Sequence, residues 1–521
     1  MQETNAPSWW KIRLDFNYAI LLVLLFTFLL TFYHITNLHI SLWDETDYMI
    51  AAGKVAEDKN LLYLGAGLKP VYMLGLSLFT FFLGTHELSG FIFSAVSGIF
   101  LVYLVYLLGV HLFSKKVAIL ASLILATTPL FLHFSRAIYS DIFVTLIITF
   151  VFLYYLTHMK KESYLQYTIF AFLIAFCYLT KNSAILIAPV FVFAELLDTL
   201  YHEKKEAWKF SILKKSKKIV FIGLLSLILI LFISFGYSAL APGNQDHIVQ
   251  LKTAGHVYSL FFEITKNIDL AYYPLSYWYL GTPILSLLAL VSIIILFKKR
   301  TEYDVLILLW LFYLYLFLSF YPQHRLKLFV MFLPPLSLLI ARGITSLRVF
   351  ASKKMLSTAS MVIVLSSLFF SIPLLTFTFD AYKNTADYLR AGGATGIITS
   401  NEGGYRFYLR DLPSRTAGLK NFDSLSSIAE SDYSHLVLDW RFMAVGEGMD
   451  DKSFGLEILE QVKPIKMFTH HYFTEQPRIV IGQKLGEPFD VFLHAPYDLD
   501  TTIYIFRMND IQEYVATRYD E

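Results

Sequence analysis

The sequence predicts a polytopic α-helical membrane protein of about eleven transmembrane helices, followed by a C-terminal, extracytoplasmic soluble α/β domain. Three observations lead there. Hydrophobic residues make up 56% of the 521 and charged residues only 16%, too few to cover a soluble chain of this length. Apolar runs of roughly 20 residues recur, enough to cross about 30 Å of hydrocarbon as helix, the form that satisfies its own backbone hydrogen bonds. The loops between them alternate between strongly basic and nearly balanced. The net charge of +2 argues neither for nor against nucleic acid, and none is expected as a partner.

The runs lie at 18–38, 88–110, 117–134, 142–158, 164–180, 184–200, 219–240, 276–297, 305–320, 328–347 and 355–379. The first is long and no small-residue cleavage site follows it, so it reads as an uncleaved first span rather than a signal peptide. Cys177 is the single cysteine, which rules out an intramolecular disulfide and a cysteine-based metal site. Charge sets the topology. With Lys11 and Arg13 in the cytoplasm, Lys115/Lys116, Lys160/Lys161, the cluster Lys204 to Lys218, Lys298-Lys299-Arg300 and Arg342 to Lys354 all fall inside, as the positive-inside rule requires. Counting the 14-residue segment Val71 to Gly84 as a span would throw these clusters outside. It reads instead as an interfacial or re-entrant helix.

Residues 1–379 therefore form the membrane domain and 380–521 a separate outer domain. The outer loop 39–87 holds two helices, one starting near Asp44 with Tyr48, Ala51, Ala52 and Val55 on one face, the other the 71–84 segment. The 241–275 loop carries interfacial aromatics, Tyr258, Phe261, Phe262, Tyr272 and Tyr273. From 380 the pattern is a helix at 381–391 and strands at 396–399, 435–438, 478–481 and 502–506. Gly403-Gly404 after the first strand reads as an ordinary turn, since two glycines without a lysine make no phosphate cradle.

The chemistry-bearing residues gather on the outer side. Trp43-Asp44-Glu45-Thr46-Asp47-Tyr48 puts three carboxylates beside the membrane, as catalytic acids or as a helix N-cap at Asp44 with acids in the first turn. Lys69, Arg136, Lys181 and Arg325 come from four other loops, each singly a snorkelling side chain. Together they would form an anion-binding cavity with a carboxylate base at its edge. No His/Asp/Glu spacing compels a metal. A divalent ion stays open but not indicated, and His324 and His470-His471 read as ordinary polar residues.

The succession Asp44-Glu45 with Tyr48, Lys69-Pro70 before a short apolar helix, Ser135-Arg136 with Asp141, Thr180-Lys181-Asn182, and Pro322 with Arg325 leading to Pro334-Pro335 resembles the GT-C superfamily. More narrowly it resembles the branch of protein O-mannosyltransferases and the bacterial lipid A aminoarabinose transferase, over about residues 10–350. Two motifs depart from that branch: Lys69-Pro70-Val71 replaces Lys-Pro-Pro, and Arg325-Leu326 replaces Arg-Tyr. The resemblance implies a GT-C-like fold and an inverting glycosyltransferase that moves a sugar from a polyprenyl or dolichyl phosphate to an acceptor hydroxyl on a glycan, lipid or protein. It implies Asp44 as base with Glu45 its partner, and Lys69, Arg136, Lys181 and Arg325 on the donor phosphate, with no cofactor required. Asp141 would orient a cation or the acceptor, or pair structurally with Arg136. Such a reaction needs one base, whereas a phosphate leaving group needs positive charge rather than a proton.

Two alternatives remain from the residues. A transporter or flippase of lipid-linked sugars would place ionisable groups at mid-bilayer in broken helices or inverted repeats, and the sequence has neither pattern. An oligosaccharyltransferase would carry a WWD-type motif, of which Leu438-Asp439-Trp440 is a superficial echo.

Overall fold

The computed structural model describes residues 18–40, 43–61, 63–64, 69–159, 163–202, 208–240, 270–298, 301–320, 326–347, 352–376, 380–410, 416–422, 424–439, 453–472 and 499–519. Its helices are, in order, α1 (Tyr18–Phe32), α2 (Trp43–Ala56), α3 (Pro70–Leu83), α4 (Glu87–Leu112), α5 (Lys115–Thr127), α6 (Pro129–Ser135), α7 (Ser140–His158), α8 (Tyr164–Thr180), α9 (Ala188–His202) and α10 (Trp208–Leu240). Then follow α11 (Tyr272–Gly281), α12 (Pro283–Lys298), α13 (Glu302–Phe320), α14 (Leu333–Ser346) and α15 (Lys353–Thr376). Among the described residues, eight helical stretches are long and apolar enough to cross a membrane. The bent pair α5–α6 and the shorter α8 and α12 coincide with the remaining expected spans, and α3 with the segment expected at the interface. The chain is an integral membrane protein.

Prolines account for two departures from the expected spans. The run 117–134 turns by 66° between α5 and α6, where Pro129 opens a new helix and holds Thr128 extended. The run 276–297 breaks at Thr282, whose φ of 99° precedes Pro283 and separates α11 from α12. Within the bundle, Trp310 is fully buried and stacks on Phe152 at 4.3 Å, joining α13 to α7. Helices α12 and α14 meet at a contact of small residues, Ser292 against Gly343.

The segment between α1 and α4 forms a second apolar core. Tyr48, Ala51, Ala52 and Val55 of α2 are buried, which is the face its spacing predicts. Tyr48, Ala51 and Ala52 join Tyr72, Met73 and Leu76 of α3, Phe91 and Phe93 of α4, and Ile138 in one apolar cluster. Helix α2 begins at Trp43, so Asp44 sits in its first turn and is not the cap.

The C-terminal region adds a five-stranded sheet in the order β2-β1-β3-β5-β4, from β1 (Ile397–Thr399), β2 (Thr416–Gly418), β3 (His435–Asp439), β4 (Lys466–Tyr472) and β5 (Leu499–Arg507). β1 runs parallel to β2 and β3, and β5 antiparallel to β3 and β4. Alternate residues fill its two faces, Leu436 and Leu438 on one and Val437 on the other. The expected strand at 478–481 and the loop residues 241–269 lie outside the described residues. After β1, where a turn was expected at Gly403-Gly404, the Asn401 side chain accepts from Gly404 N at 3.3 Å and caps a five-residue helix (Glu402–Arg406).

A Cβ on Gly343 would fall 2.1 Å from Ser292 Oγ and 2.8 Å from Ser292 Cα, whereas one on Gly223 meets nothing within 4 Å. Gly343→Ala should therefore cost about 1–3 kcal/mol by overpacking. Gly223→Ala should be neutral or gain up to about 1 kcal/mol from helix propensity. Melting in detergent separates the two, and equal shifts would contradict the packing.

Candidate active site

Five charged side chains from five separate segments converge at one end of the bundle. Asp44 stands in the first turn of α2, and its Oδ2 accepts from Lys327 Nζ at 2.6 Å across 283 residues of sequence. Lys327 comes from the 3-10 segment Leu326–Phe332 that leads into α14, and its ammonium also lies 5.2 Å from the centre of the Tyr139 ring. Lys69 precedes α3. Its ammonium donates to the Tyr48 hydroxyl and stands 4.5 Å from the centre of that ring. Lys181, between α8 and α9, forms an ion pair with Asp141 at the start of α7. Asp141 Oδ2 has no hydrogen-bond partner among the described residues.

The electrostatics follow from this crowding. Burial acts to raise the Asp44 carboxyl, but the Lys327 ammonium, seconded by Lys69 and Lys181, outweighs it and holds the group below its ordinary value. Asp44 is therefore ionised at neutral pH. Burial lowers Lys69 first, the Lys181 charge adds to it, and Asp44 and Asp141 offset only part, leaving Lys69 at about 7.

Of the residues expected from the sequence, Asp44, Lys69, Asp141 and Lys181 are brought together, and Arg325 lies outside the described residues. Glu45 turns away from them. Only 2% exposed, it accepts from Ile138 N at 2.9 Å and ties α2 to the turn before α7. Arg136 also points elsewhere, donating to Leu374 O at 3.1 Å, Tyr33 O at 2.8 Å and Leu375 O at 3.3 Å. It thus satisfies carbonyls near the end of α15, where a cation is favoured. Asp141 pairs with Lys181 and not with Arg136, which corrects the structural pair left open by sequence. Lys327 was missed. Its signal was its place two residues after Arg325, just before the Pro334-Pro335 helix.

The C-terminal region, through Arg406 to Tyr408, reaches these residues. Phe407 is buried in the cluster containing Tyr48, Met49 and Tyr72. Tyr408 Oη donates to Glu87 Oε2 at 2.5 Å and accepts from Ile40 N at 2.8 Å. Arg406 lies 3.7 Å from Asp47 of α2. At the opposite end of α9 and α13, Asp198, His202 and Glu302 place their ligand atoms within 4.8 Å of one another, a set that could hold a metal. There Lys215 already holds Asp198 at 2.5 Å and His202 meets Glu302 at 2.8 Å.

The sequence matches the family model for dolichyl-phosphate-mannose-protein mannosyltransferase over residues 69–230. No curated protein sequence matches the chain significantly. Among solved structures, ArnT from Cupriavidus metallidurans bound to undecaprenyl phosphate is similar with a TM-score of 0.57 at 12% identity, covering 88% of this chain and 96% of that one. The same protein in its apo state gives 0.58 at 13% identity, over 83% and 94%. The archaeal oligosaccharyltransferase AglB from Archaeoglobus fulgidus, in complex with an inhibitory peptide and a dolichol-phosphate, gives 0.54 at 12% identity, over 83% and 70%. By fold over most of its length, and by sequence over residues 69–230, the chain resembles the GT-C superfamily and, within it, the protein O-mannosyltransferase and aminoarabinose transferase branch.

Proposed function

We propose that the protein is an inverting glycosyltransferase that takes a sugar from a polyprenyl or dolichyl phosphate and passes it to an acceptor hydroxyl. The observation that carries this reading is one ionised carboxylate, Asp44, set among the ammonium groups of Lys69, Lys181 and Lys327. Asp44 takes the proton of the acceptor hydroxyl as its oxygen attacks the anomeric carbon from the face opposite the phosphate. The bond from that carbon to the phosphate oxygen breaks, and the electron pair leaves with the lipid phosphate. Lys69 and Lys181, with Arg325, hold the charge that develops there. The second oxygen of Asp141, beside Lys181, is available to accept from a hydroxyl of the sugar or the acceptor. The similar structures bound to undecaprenyl phosphate or dolichol-phosphate support a lipid-phosphate donor.

The side of the membrane follows from the basic loops, which place the N-terminus in the cytoplasm and both the Asp44 cluster and residues 380–521 outside. Tags after residues 205 and 300 should be protected in intact cells and one after residue 450 accessible. A cytoplasmic residue 450 would overturn the orientation.

Asp44→Asn keeps size and removes the base, so turnover at saturating donor should fall by roughly 10²- to 10⁴-fold with little change in melting temperature. Glu45→Gln keeps an oxygen to accept from Ile138 N, and its turnover should stay within a few-fold of wild type. If the two outcomes were exchanged, Glu45 would be the base.

Lys69 gives donor binding a pH dependence. A neighbouring phosphate favours the ammonium and raises its pKa, so above about pH 7 binding must take up a proton there. Affinity for a sugar phosphodiester, whose own charge is constant in this range, should fall by up to about tenfold per pH unit above that point and level off below it. Lys69→Arg, charged throughout, should flatten the profile. Donor titrations across neutral pH check this, and an unchanged slope in Lys69→Arg would remove Lys69 from the phosphate.

A further inference from the structure

Two lysine–aspartate pairs lie in the cluster, and their surroundings differ. In the pair Lys181–Asp141 the side chains are 11% and 1% exposed, so separating it would strand a buried carboxylate. In the pair Lys327–Asp44 they are 12% and 38% exposed, so water can solvate the carboxylate as soon as the ammonium leaves. The main chain around Lys327 is fixed, with Leu326, Phe329 and Val330 buried. Its four-carbon stem is what can move, swinging a compact charge over a short arc without disturbing α14. The pair as it stands is also a poor base, because an ammonium held 2.6 Å from Oδ2 stabilises the ionised carboxylate and so lowers its affinity for a hydroxyl proton.

From these observations we propose that Lys327 is an exchangeable partner, bound to Asp44 when the site is empty and transferred to the phosphate when a polyprenyl phosphate arrives. The exchange rests on the donor reading above and deepens it. It makes Lys327 a phosphate ligand, and it couples the two halves of the reaction: the lipid phosphate removes the cation from Asp44, and the carboxylate becomes the stronger base that the acceptor hydroxyl needs. In the empty site the same pair keeps the base weak. Lys69 and Lys181 do not carry this coupling, since neither makes the direct contact with Asp44 that Lys327 makes.

The proposal has a consequence that runs against intuition for an active-site variant. Asp44 competes with the phosphate for Lys327, so Asp44→Asn should bind a polyprenyl phosphate more tightly than wild type, by roughly two- to tenfold, while losing turnover. Removing any carboxylate near an anion relieves some repulsion, so the decisive quantity is the coupling between the two positions. Full-length protein in detergent would be titrated with undecaprenyl phosphate, a lipid phosphate without sugar, as wild type, Asp44→Asn, Lys327→Met and the double variant. Lys327→Gln serves as a second neutral replacement, and melting temperatures establish that each variant is folded. The expected result is a gain in affinity from Asp44→Asn that largely disappears when Lys327 is neutral. An equal gain in both backgrounds, or none in wild type, would overturn the exchange while leaving the lipid phosphate as ligand. If wild type bound undecaprenyl phosphate no better than phosphate-free undecaprenol, the donor reading itself would fall, and the exchange with it.

Discussion

The arrangement depends on how helix α2 is held against the membrane bundle. Asp44 is carried by a short helix outside the spans, and a helix of 14 residues has little stability of its own in water. Its position is fixed by the buried face Tyr48, Ala51, Ala52 and Val55 and by the Glu45 carboxylate, which accepts from the backbone N–H of Ile138. That hydrogen bond is buried, so breaking it leaves an unsatisfied donor and a desolvated carboxylate together. Two neighbouring acids in sequence thereby take opposite duties. One faces the lysines, and the other, about 100° further round the helix, is consumed in holding the first in place.

The charges that meet Asp44 are expensive to gather in so enclosed a place. Each ammonium there is accompanied: Lys327 by Asp44, Lys181 by Asp141, Lys69 by the hydroxyl and ring of Tyr48. The accompaniment is uneven, and the unevenness matters to chemistry. Lys69 has a phenol and not a carboxylate as its direct partner, and burial brings its proton within reach of neutral pH. The phosphate donor proposed above would supply Lys69 with the negative charge that its phenol partner does not carry.

The C-terminal region contributes to the same platform. Phe407 enters the apolar cluster that seats α2 and α3, and Tyr408 closes a hydrogen-bonded group with Glu87 and the Ile40 backbone. His39 lies 2.5 Å from the other oxygen of Glu87. The segment leaving β1 thus packs on the helix that carries Asp44, and Tyr408 lies against both the apolar cluster of α2 to α4 and the one that includes Ile397 and Val437 of the sheet.

The sequence by itself determined the elements whose physics is local or one-dimensional. Long apolar runs had to become helices in lipid, and the helix Ala381–Ala391 and the strands His435–Asp439 and Leu499–Arg507 lay close to where periodicity put them. That Asp44, Lys69, Asp141 and Lys181 meet at one end of the bundle was legible too, because the number of apolar runs between them puts their segments at the same end. The partners of those residues were not legible, because they depend on which loops meet in space. Only the tertiary structure placed Lys327 on Asp44 across most of the membrane domain, gave Asp141 to Lys181, turned Arg136 to the carbonyls of Leu374 and Leu375, and spent Glu45 on Ile138. A side chain's duty is set by the nearest opposite charge or unsatisfied hydrogen-bonding group, and in a protein of many spans that neighbour comes from distant sequence, brought close by helix packing.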